Sequence, residues 1–188
     1  MAVSYEERHV KAQTLLSFWF DEIKPAQRWV KDAAFDRMIE ERFSTIHEQA
    51  NRGELFEWRQ SPTGRLAEII VLDQLSRNMY RDTPKAFASD ALALVLAQEA
   101  IACGMHKPLT AEQRSFLYMP FMHSESLKIH DVAVRLFADN GIQSNIDFEQ
   151  KHRDIIVRFG RYPHRNAILQ RESTPEEREF LSQPGSGF

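Results

Sequence analysis

The stretch from Ser61 to Asn78, SPTGRLAEIIVLDQLSRN, decides the fold because it predicts a helix that is apolar on nearly every side. Ser61 followed by Pro62 is typical of a helix start, with a capping side chain and proline in the first turn. No polar face separates its apolar residues, which are Leu66, Ile69, Ile70, Val71 and Leu72. Such a helix has to be buried against other elements. Because strand signals are nearly absent from the chain, the sequence predicts an all-α protein.

Start and stop signals on both sides of this helix predict further helices. Capping residues indicate starts near Ser4, Asp32, Asp90, Thr110, Ser124, Asp147 and Thr174. Glycines end several of these segments, and no segment alternates as a strand would. Most connections are short, which favours antiparallel neighbours. We therefore predict about eight helices, arranged as antiparallel helical hairpins in one domain over residues 1–188.

Composition narrows the class of protein further. The chain has 188 residues, of which 43% are hydrophobic and 27% charged, and its net charge is −3. These values suit a soluble domain and do not suggest a general nucleic-acid binder. No apolar run approaches the ~20 residues that a membrane span needs. The single cysteine cannot form a disulfide within the chain, so the fold does not rely on an oxidising compartment. The N-terminus shows no secretory signal. We expect a cytoplasmic protein that binds neither nucleic acid nor membrane.

Three predicted helices end in dense polar clusters. They are the stretches Asp73–Asn78, His123–Glu125, and His152–Asp154 continued through Arg158 to Arg161–Asn166. Residues 151–171 contain six basic residues and one acidic residue. Charged side chains are rarely buried without partners, so these clusters are expected to supply one another.

Two interpretations of the clusters stay open. In the structural one, pairs such as Asp73 with Arg77 are ordinary i, i+4 ion pairs worth ~0.2–0.5 kcal/mol. In the functional one, the three helix ends meet in a pocket for an anionic small molecule. The candidates for ligand binding are then Asp73, Arg77, Asn78, His152, Asp154, Arg158, Arg161, Arg165 and Asn166. The candidates for catalysis by proton transfer are His123 and His164, with Glu125 to orient them.

Other chemistries have weaker support. His123, His130 and Glu125 do not form a known metal-binding motif, so we expect no metal and no cofactor. No motif of a serine hydrolase of the G-x-S-x-G type, a P-loop or a dinucleotide fold occurs. Cys103 is expected to be a small core residue. Three further histidines are expected at the surface, namely His9, His47 and His106.

Four segments carry a resemblance to a known family. They are FWF at residues 18–20, LDQLSRNMYR at 72–81 with AFA at 86–88, FLYMPFMHSE at 116–125 and HRDIIVRFGRYPHRN at 152–166. On these residues, and in the tail from Arg171, the chain resembles the bacterial DUF924 family, a domain of unknown function in the tetratricopeptide-like helical superfamily. Two positions depart from the family's pattern, because Leu75 stands where Phe is usual and Gln170 where Gly is usual.

The resemblance implies a TPR-like α–α superhelix and supplies no activity, so whether the chain is an enzyme stays open. The first hypothesis is a binding protein or enzyme for an anionic small molecule. The second is an interaction module that captures an acidic peptide in a groove of stacked helical hairpins. The third is that the polar clusters serve only the fold.

Overall fold

Helices make up the regular secondary structure of the computed structural model, which describes residues 12–187. Eight α-helices, α1 to α8, and no strand occur within those residues, when the α-helical turn Ser76–Met79 is counted with α3. Short 3-10 and π-helical segments occur between and beside them. The helices are α1 at 12–17, α2 at Ala33–Asn51, α3 at Pro62–Ile70, α4 at Asp90–Ala102, α5 at Ala111–Met122, α6 at Leu127–Asn140, α7 at Gln143–Phe159 and α8 at Pro175–Leu181. The predicted all-α class is confirmed. The predicted helix start at Ser4 lies outside the described residues.

The helix α3 begins as the sequence predicts. The hydroxyl of Ser61 accepts a hydrogen bond from the N–H of Gly64, and Pro62 occupies the first turn. A Cβ atom on Gly64 would lie 2.0 Å from the carbonyl oxygen of Trp58, so only glycine fits this approach. After Ile70 the chain continues through a π-helical turn, Val71–Leu75, into a last α-helical turn, Ser76–Met79.

Buried contacts surround α3. It packs against α4 and α5, and its continuation through Val71–Leu75 and Ser76–Met79 packs against α2. The side chains of Leu66, Ile69 and Leu72 are fully buried. The helix α5 also packs on α6, and α6 packs on α7. The polar residues at the C-terminal ends of α3 and α5 therefore follow helices that lie in the core. The finer arrangement as a TPR-like array of antiparallel hairpins stays a prediction.

Local capping signals place several helix ends correctly. Asp32 accepts hydrogen bonds from the N–H groups of Ala34 and Phe35 at the start of α2. Thr110 and Thr174 both form capping boxes, with Gln113 and Glu177 as their partners. These motifs act within four residues, so the sequence alone contains all the information they need.

Two predicted helix starts and one predicted cap are wrong. The helix α6 begins at Leu127 and not at Ser124, because residues 124–126 form the turn after α5. The helix α7 begins at Gln143, four residues before the predicted Asp147, because Gly141 takes a left-handed conformation that lets the next helix start at once. The helix α4 begins at Asp90, as predicted, but Asp90 does not cap it: Ser89 occupies the cap position, and the carboxylate of Asp90 binds Arg77.

Two predictions about exposure are also wrong. Cys103 is exposed, because it follows the last residue of α4 and points away from the core. His47 is buried on the inner face of α2, where its Nε2 atom lies 2.7 Å from the hydroxyl of Ser76. His106 is partly buried, and its Nδ1 atom is enclosed. His9 lies outside the described residues.

Gln170 adopts a backbone conformation that favours glycine. Its φ angle is 55°, in the left-handed region. This is the position at which the sequence departs from the usual glycine of the family that it resembles. A side chain with a Cβ atom is strained there, by roughly 1–2 kcal/mol relative to the right-handed region. The turn that leads to α8 is therefore kept in spite of the substitution.

Candidate functional site

The first and second polar clusters meet at His123. This residue caps the C-terminal end of α5. Its Nδ1 atom lies 2.7 Å from Oδ1 of Asp73, which belongs to the π-helical turn of α3. Single π-helical turns inside α-helices occur frequently at functional sites. The contact therefore joins the two helix ends at a local irregularity of α3.

The carboxylate of Asp73 is fully buried, and both its oxygens are hydrogen-bonded. Oδ1 accepts from His123 and, at 3.3 Å, from Nη1 of Arg77, while Oδ2 accepts from Nε2 of Gln74 at 2.7 Å. Burial alone would raise the pKa of Asp73, but His123 and Arg77 hold it well below its ordinary value. Asp73 is therefore ionised at neutral pH, with the partners that a buried charge requires.

This carboxylate determines the tautomer of His123. An ionised carboxylate only accepts, so Nδ1 of the ring carries the hydrogen and donates it to Asp73. Burial and the guanidinium of Arg77 lower the pKa of His123 in spite of Asp73, so the ring is neutral at pH 7. Its Nε2 atom makes no hydrogen bond to the described residues, and 15% of the side chain is exposed. A basic nitrogen is therefore open to a proton donor from solution.

Two guanidinium groups lie beside this pair and share one carboxylate. Arg77 donates to both oxygens of Asp90, at 2.9 and 3.0 Å, and Arg165 donates to Oδ2 of Asp90 at 3.4 Å. Both groups also lie over the ring of Phe87, at 5.6 and 4.5 Å from its centroid. The two positive charges are therefore held close together, and Asp90 is 18% exposed between them.

The third polar cluster contacts the second through main-chain atoms. Arg165 donates from Nη2 to the carbonyl oxygen of His123 at 3.0 Å. The hydroxyl of Tyr162 donates to the carbonyl oxygen of Met122 at 2.6 Å, and its N–H donates to Oε1 of Glu125 at 2.7 Å. All three polar helix ends therefore converge, which is the condition that the functional interpretation requires.

Glu125 binds an arginine and does not orient a histidine in the described structure. Nη1 and Nη2 of Arg171 donate to its two oxygens at 2.6 and 2.9 Å. Burial would raise the pKa of Glu125, but Arg171 and the N–H of Tyr162 lower it below the usual value. Arg171 also donates to the carbonyl oxygen of Tyr162 and to Asn166. Glu125 therefore secures the segment after α7 to the turn after α5.

Arg161 and Asn166 bind Glu177, which is 2% exposed and belongs to α8. Nε and Nη2 of Arg161 donate to its two oxygens at 2.7 and 2.8 Å, and Nδ2 of Asn166 donates at 3.1 Å. These contacts lower the pKa of Glu177 to about 2. The guanidinium of Arg161 is therefore engaged in attaching α8.

His152 and His164 lie around the ring of Tyr162, with centroid distances of 5.6 and 5.5 Å. Nδ1 of His152 donates to the carbonyl oxygen of Phe148 at 2.7 Å. Burial is the main cause that lowers the pKa of His152 to about 3 and that of His164 to about 4. Both rings are therefore neutral at pH 7.

Three predicted ligand-binding residues lie outside this convergence. Asn78 donates to Asp36 of α2 at 2.9 Å. Asp154 is exposed and accepts from Gln150, one turn earlier on α7. Arg158 is also exposed, and its guanidinium lies over Phe159.

The structure adds residues that sequence reasoning missed. The position of Asp90 at a predicted helix start indicates a cap, and nothing in the sequence indicates that it binds two arginines. His130 and Glu149 form a pair with at most 1% exposure, with 2.7 Å between Nδ1 and Oε1. Nε2 of His130 faces the carbonyl oxygen of Ser124 at 2.8 Å and so carries a hydrogen. Burial raises the pKa of Glu149, and only the helical spacing of α6 and α7 could have placed this pair.

Neither a metal-binding group nor a membrane-spanning helix is found in the described part of the chain. Within residues 12–187, no three His, Cys, Asp or Glu side chains are arranged to hold a metal ion. No helix among them combines the length and the apolar character that crossing a membrane requires.

Comparison with known proteins identifies relatives but no activity. Residues 15–185 match the model of a family described as "Bacterial protein of unknown function (DUF924)". The solved structure of a protein of unknown function from Agrobacterium tumefaciens is similar, with a TM-score of 0.88 and 39% sequence identity. The match covers 93% of this chain and 98% of that one. No curated protein matches the chain.

Proposed function

The chain belongs to the DUF924 family of bacterial proteins of unknown function, and we propose that it binds a small anionic molecule beside His123 and exchanges a proton with it. One observation carries this proposal. The buried carboxylate of Asp73 fixes Nδ1 of His123 as a donor, and the opposite nitrogen, Nε2, is left open. An oriented neutral imidazole is the arrangement that general-base chemistry uses.

The nearby arginines support an anionic ligand. The guanidinium groups of Arg77 and Arg165 both lie over the ring of Phe87, so two positive charges adjoin the site. Their shared partner, Asp90, is partly exposed, whereas Asp73 is fully buried. A carboxylate or phosphate group of a ligand would compete with Asp90 for these donors, and guanidinium groups suit both kinds of anion.

Proton exchange gives the proposal a direct signature. An anion close to Nε2 favours the charged imidazolium, so binding raises the pKa of His123 from its lowered value. The complex should then take up protons from the buffer near neutral pH. A network that serves only the fold would bind no ligand, and a peptide groove would prefer a peptide to small anions. The cytoplasmic location remains a prediction from the sequence.

The experiment is a thermal-shift screen of phosphorylated and carboxylated metabolites, followed by calorimetric titration in two buffers of different ionisation enthalpy. We expect a small anion to stabilise the wild type and to bind with proton uptake. His123→Asn keeps an amide nitrogen near the position of Nδ1 but removes Nε2, so its binding should take up no proton. Arg153→Gln, which removes a partly exposed guanidinium paired with Asp131, should behave as the wild type. The proposal is overturned if no small anion binds, or if His123→Asn takes up the same number of protons.

A further inference from the structure

A cavity of about 260 Å³ lies at the opposite end of α5 and α6 from His123. Arg114, which lines it, precedes His123 by nine residues, or about 13 Å along the helix at 1.5 Å per residue. The volume corresponds to about nine water molecules at ~30 Å³ each. The cavity is lined by His106, Lys107, Arg114, Tyr118, Asp139 and Asn140.

The two cations of this cavity have no carboxylate partner in the described structure. Nε of Arg114 donates to Oδ1 of Asn140 at 2.8 Å, and Nη1 donates to the carbonyl oxygen of Leu109 at 2.6 Å. Both acceptors are neutral, and they fix the direction of the guanidinium. Nη2 of Arg114 makes no hydrogen bond to residues 12–187, and Lys107 forms no ion pair with them. Arg77 and Arg165, in contrast, both bind carboxylates.

A hydroxyl group also opens into the cavity. Tyr118 is 4% exposed, and its hydroxyl makes no hydrogen bond to any described residue. The hydroxyl is not among the enclosed polar atoms, so it reaches the cavity that Tyr118 lines. Burial raises the pKa of Tyr118, and the group is therefore a protonated donor at neutral pH. A hydroxyl that opens into a cavity and lacks a partner within the described protein is a natural contact for a ligand.

Asp139 limits which anions fit. It is exposed and lines the same cavity as Lys107 and Arg114, yet it forms no ion pair with either cation. Burial lowers the pKa of His106, so this histidine is neutral at pH 7. The cavity then carries two positive charges and one negative charge. A second negative charge on a ligand would be repelled by Asp139, whereas an ammonium group would be attracted.

We propose that this cavity is a binding site for a small amino acid, separate from the site at His123. The carboxylate of the amino acid binds Arg114, Lys107 and the hydroxyl of Tyr118. Its ammonium group lies toward Asp139. The volume of about 260 Å³ is sufficient for a small amino acid.

The experiment is calorimetric titration of the full chain with glycine, alanine, serine and leucine, with acetate and inorganic phosphate as comparison probes. We expect at least one amino acid to bind, and acetate and phosphate to bind more weakly. Tyr118→Phe and Lys107→Gln should each weaken amino-acid binding about tenfold, and neither removes a hydrogen bond within the described protein. Lys128→Gln, which removes an exposed lysine of α6, is the matched control and should bind as the wild type.

Asp139→Asn distinguishes the contribution of the ligand's ammonium group to binding from that of its carboxylate. It should weaken amino-acid binding about tenfold and leave acetate binding unchanged or stronger. The proposal is overturned if no amino acid binds, if Tyr118→Phe and Lys107→Gln bind as the wild type, or if acetate binds as tightly as the amino acids. The last result would show that the ammonium group, and hence Asp139, plays no part.

Discussion

Nδ1 of His123 lies 2.7 Å from Oδ1 of Asp73, a residue 50 positions earlier in the chain. The hydrogen bond joins the end of α5 to the π-helical turn of α3. Because the carboxylate can only accept, the same contact decides which ring nitrogen keeps its lone pair. The position of the ring and its tautomer are therefore set by one interaction.

Replacing this carboxylate should change both stability and titration. We expect Asp73→Asn to lower the free energy of unfolding by about 3 kcal/mol, because Arg77 loses a buried partner. The pKa of His123 should fall further, because the charge that favours its imidazolium form is removed. Urea unfolding measures the first effect, and NMR titration of the His123 ring measures the second. Asp131→Asn on the surface is the control and should cost less than about 1 kcal/mol. A raised pKa of His123 in Asp73→Asn would contradict this account.

Acidification should destabilise the protein through its buried histidines. The pKa of His152 is lowered to about 3 and that of His164 to about 4, from an ordinary value of 6.5. As the pH falls from 6.5 toward these lowered pKa values, the unfolded chain binds protons at the two histidines that the folded chain does not bind. The free energy of unfolding therefore falls as the pH falls. We expect the urea midpoint to decrease from pH 6.5 toward pH 4. In His152→Gln this decrease should be shallower over the same range. An equal slope in both proteins would show that His152 does not contribute.

Sequence reasoning succeeded where the determining contacts are local. The capping boxes at Thr110 and Thr174 act within one helical turn, and both are present in the structure. The choice of partner for a charged side chain is different, because any carboxylate that folding brings near can bind any guanidinium. Glu125 was expected to orient a histidine and instead binds Arg171, 46 residues away. Only the three-dimensional packing of α5, α7 and the segment after α7 decides that pairing.

The polar or apolar character of the neighbouring residues gives the wrong burial for His47 and Cys103. His47 has polar neighbours in the sequence but lies on the inner face of α2, where a hydroxyl group accommodates it. Cys103 follows an alanine-rich, apolar helix and is nevertheless exposed. For His47 the rotational position on its helix matters more than the character of its neighbours. Cys103 is exposed because it lies beyond the last residue of α4.

The turn at Gln170 offers a stabilising substitution. Its φ angle of 55° strains a residue with a Cβ atom, and the side chain is exposed. We expect Gln170→Gly to raise the free energy of unfolding by about 1 kcal/mol, because the gain from relieved strain exceeds the added freedom of the unfolded chain. Gln170→Ala, which keeps the Cβ atom, is the matched control and should show little gain. Urea unfolding of both variants makes the comparison, and a less stable Gln170→Gly would refute it.

Substitution of Asp90, which bridges Arg77 and Arg165, tests whether the charges of these two arginines are available to a ligand. Asp90→Asn replaces the shared carboxylate by a neutral amide of similar size, so two adjacent guanidinium groups lose their common counterion. We expect a loss of about 2 kcal/mol in the free energy of unfolding, the usual scale for hydrogen bonds to charged groups. Inorganic phosphate should then restore part of the thermal stability of Asp90→Asn and stabilise the wild type less, because in the wild type Asp90 competes for the same donors. Asp131→Asn should respond to phosphate as the wild type does. If phosphate has equal effects on all three proteins, the two guanidinium groups are inaccessible to anions and serve the fold alone.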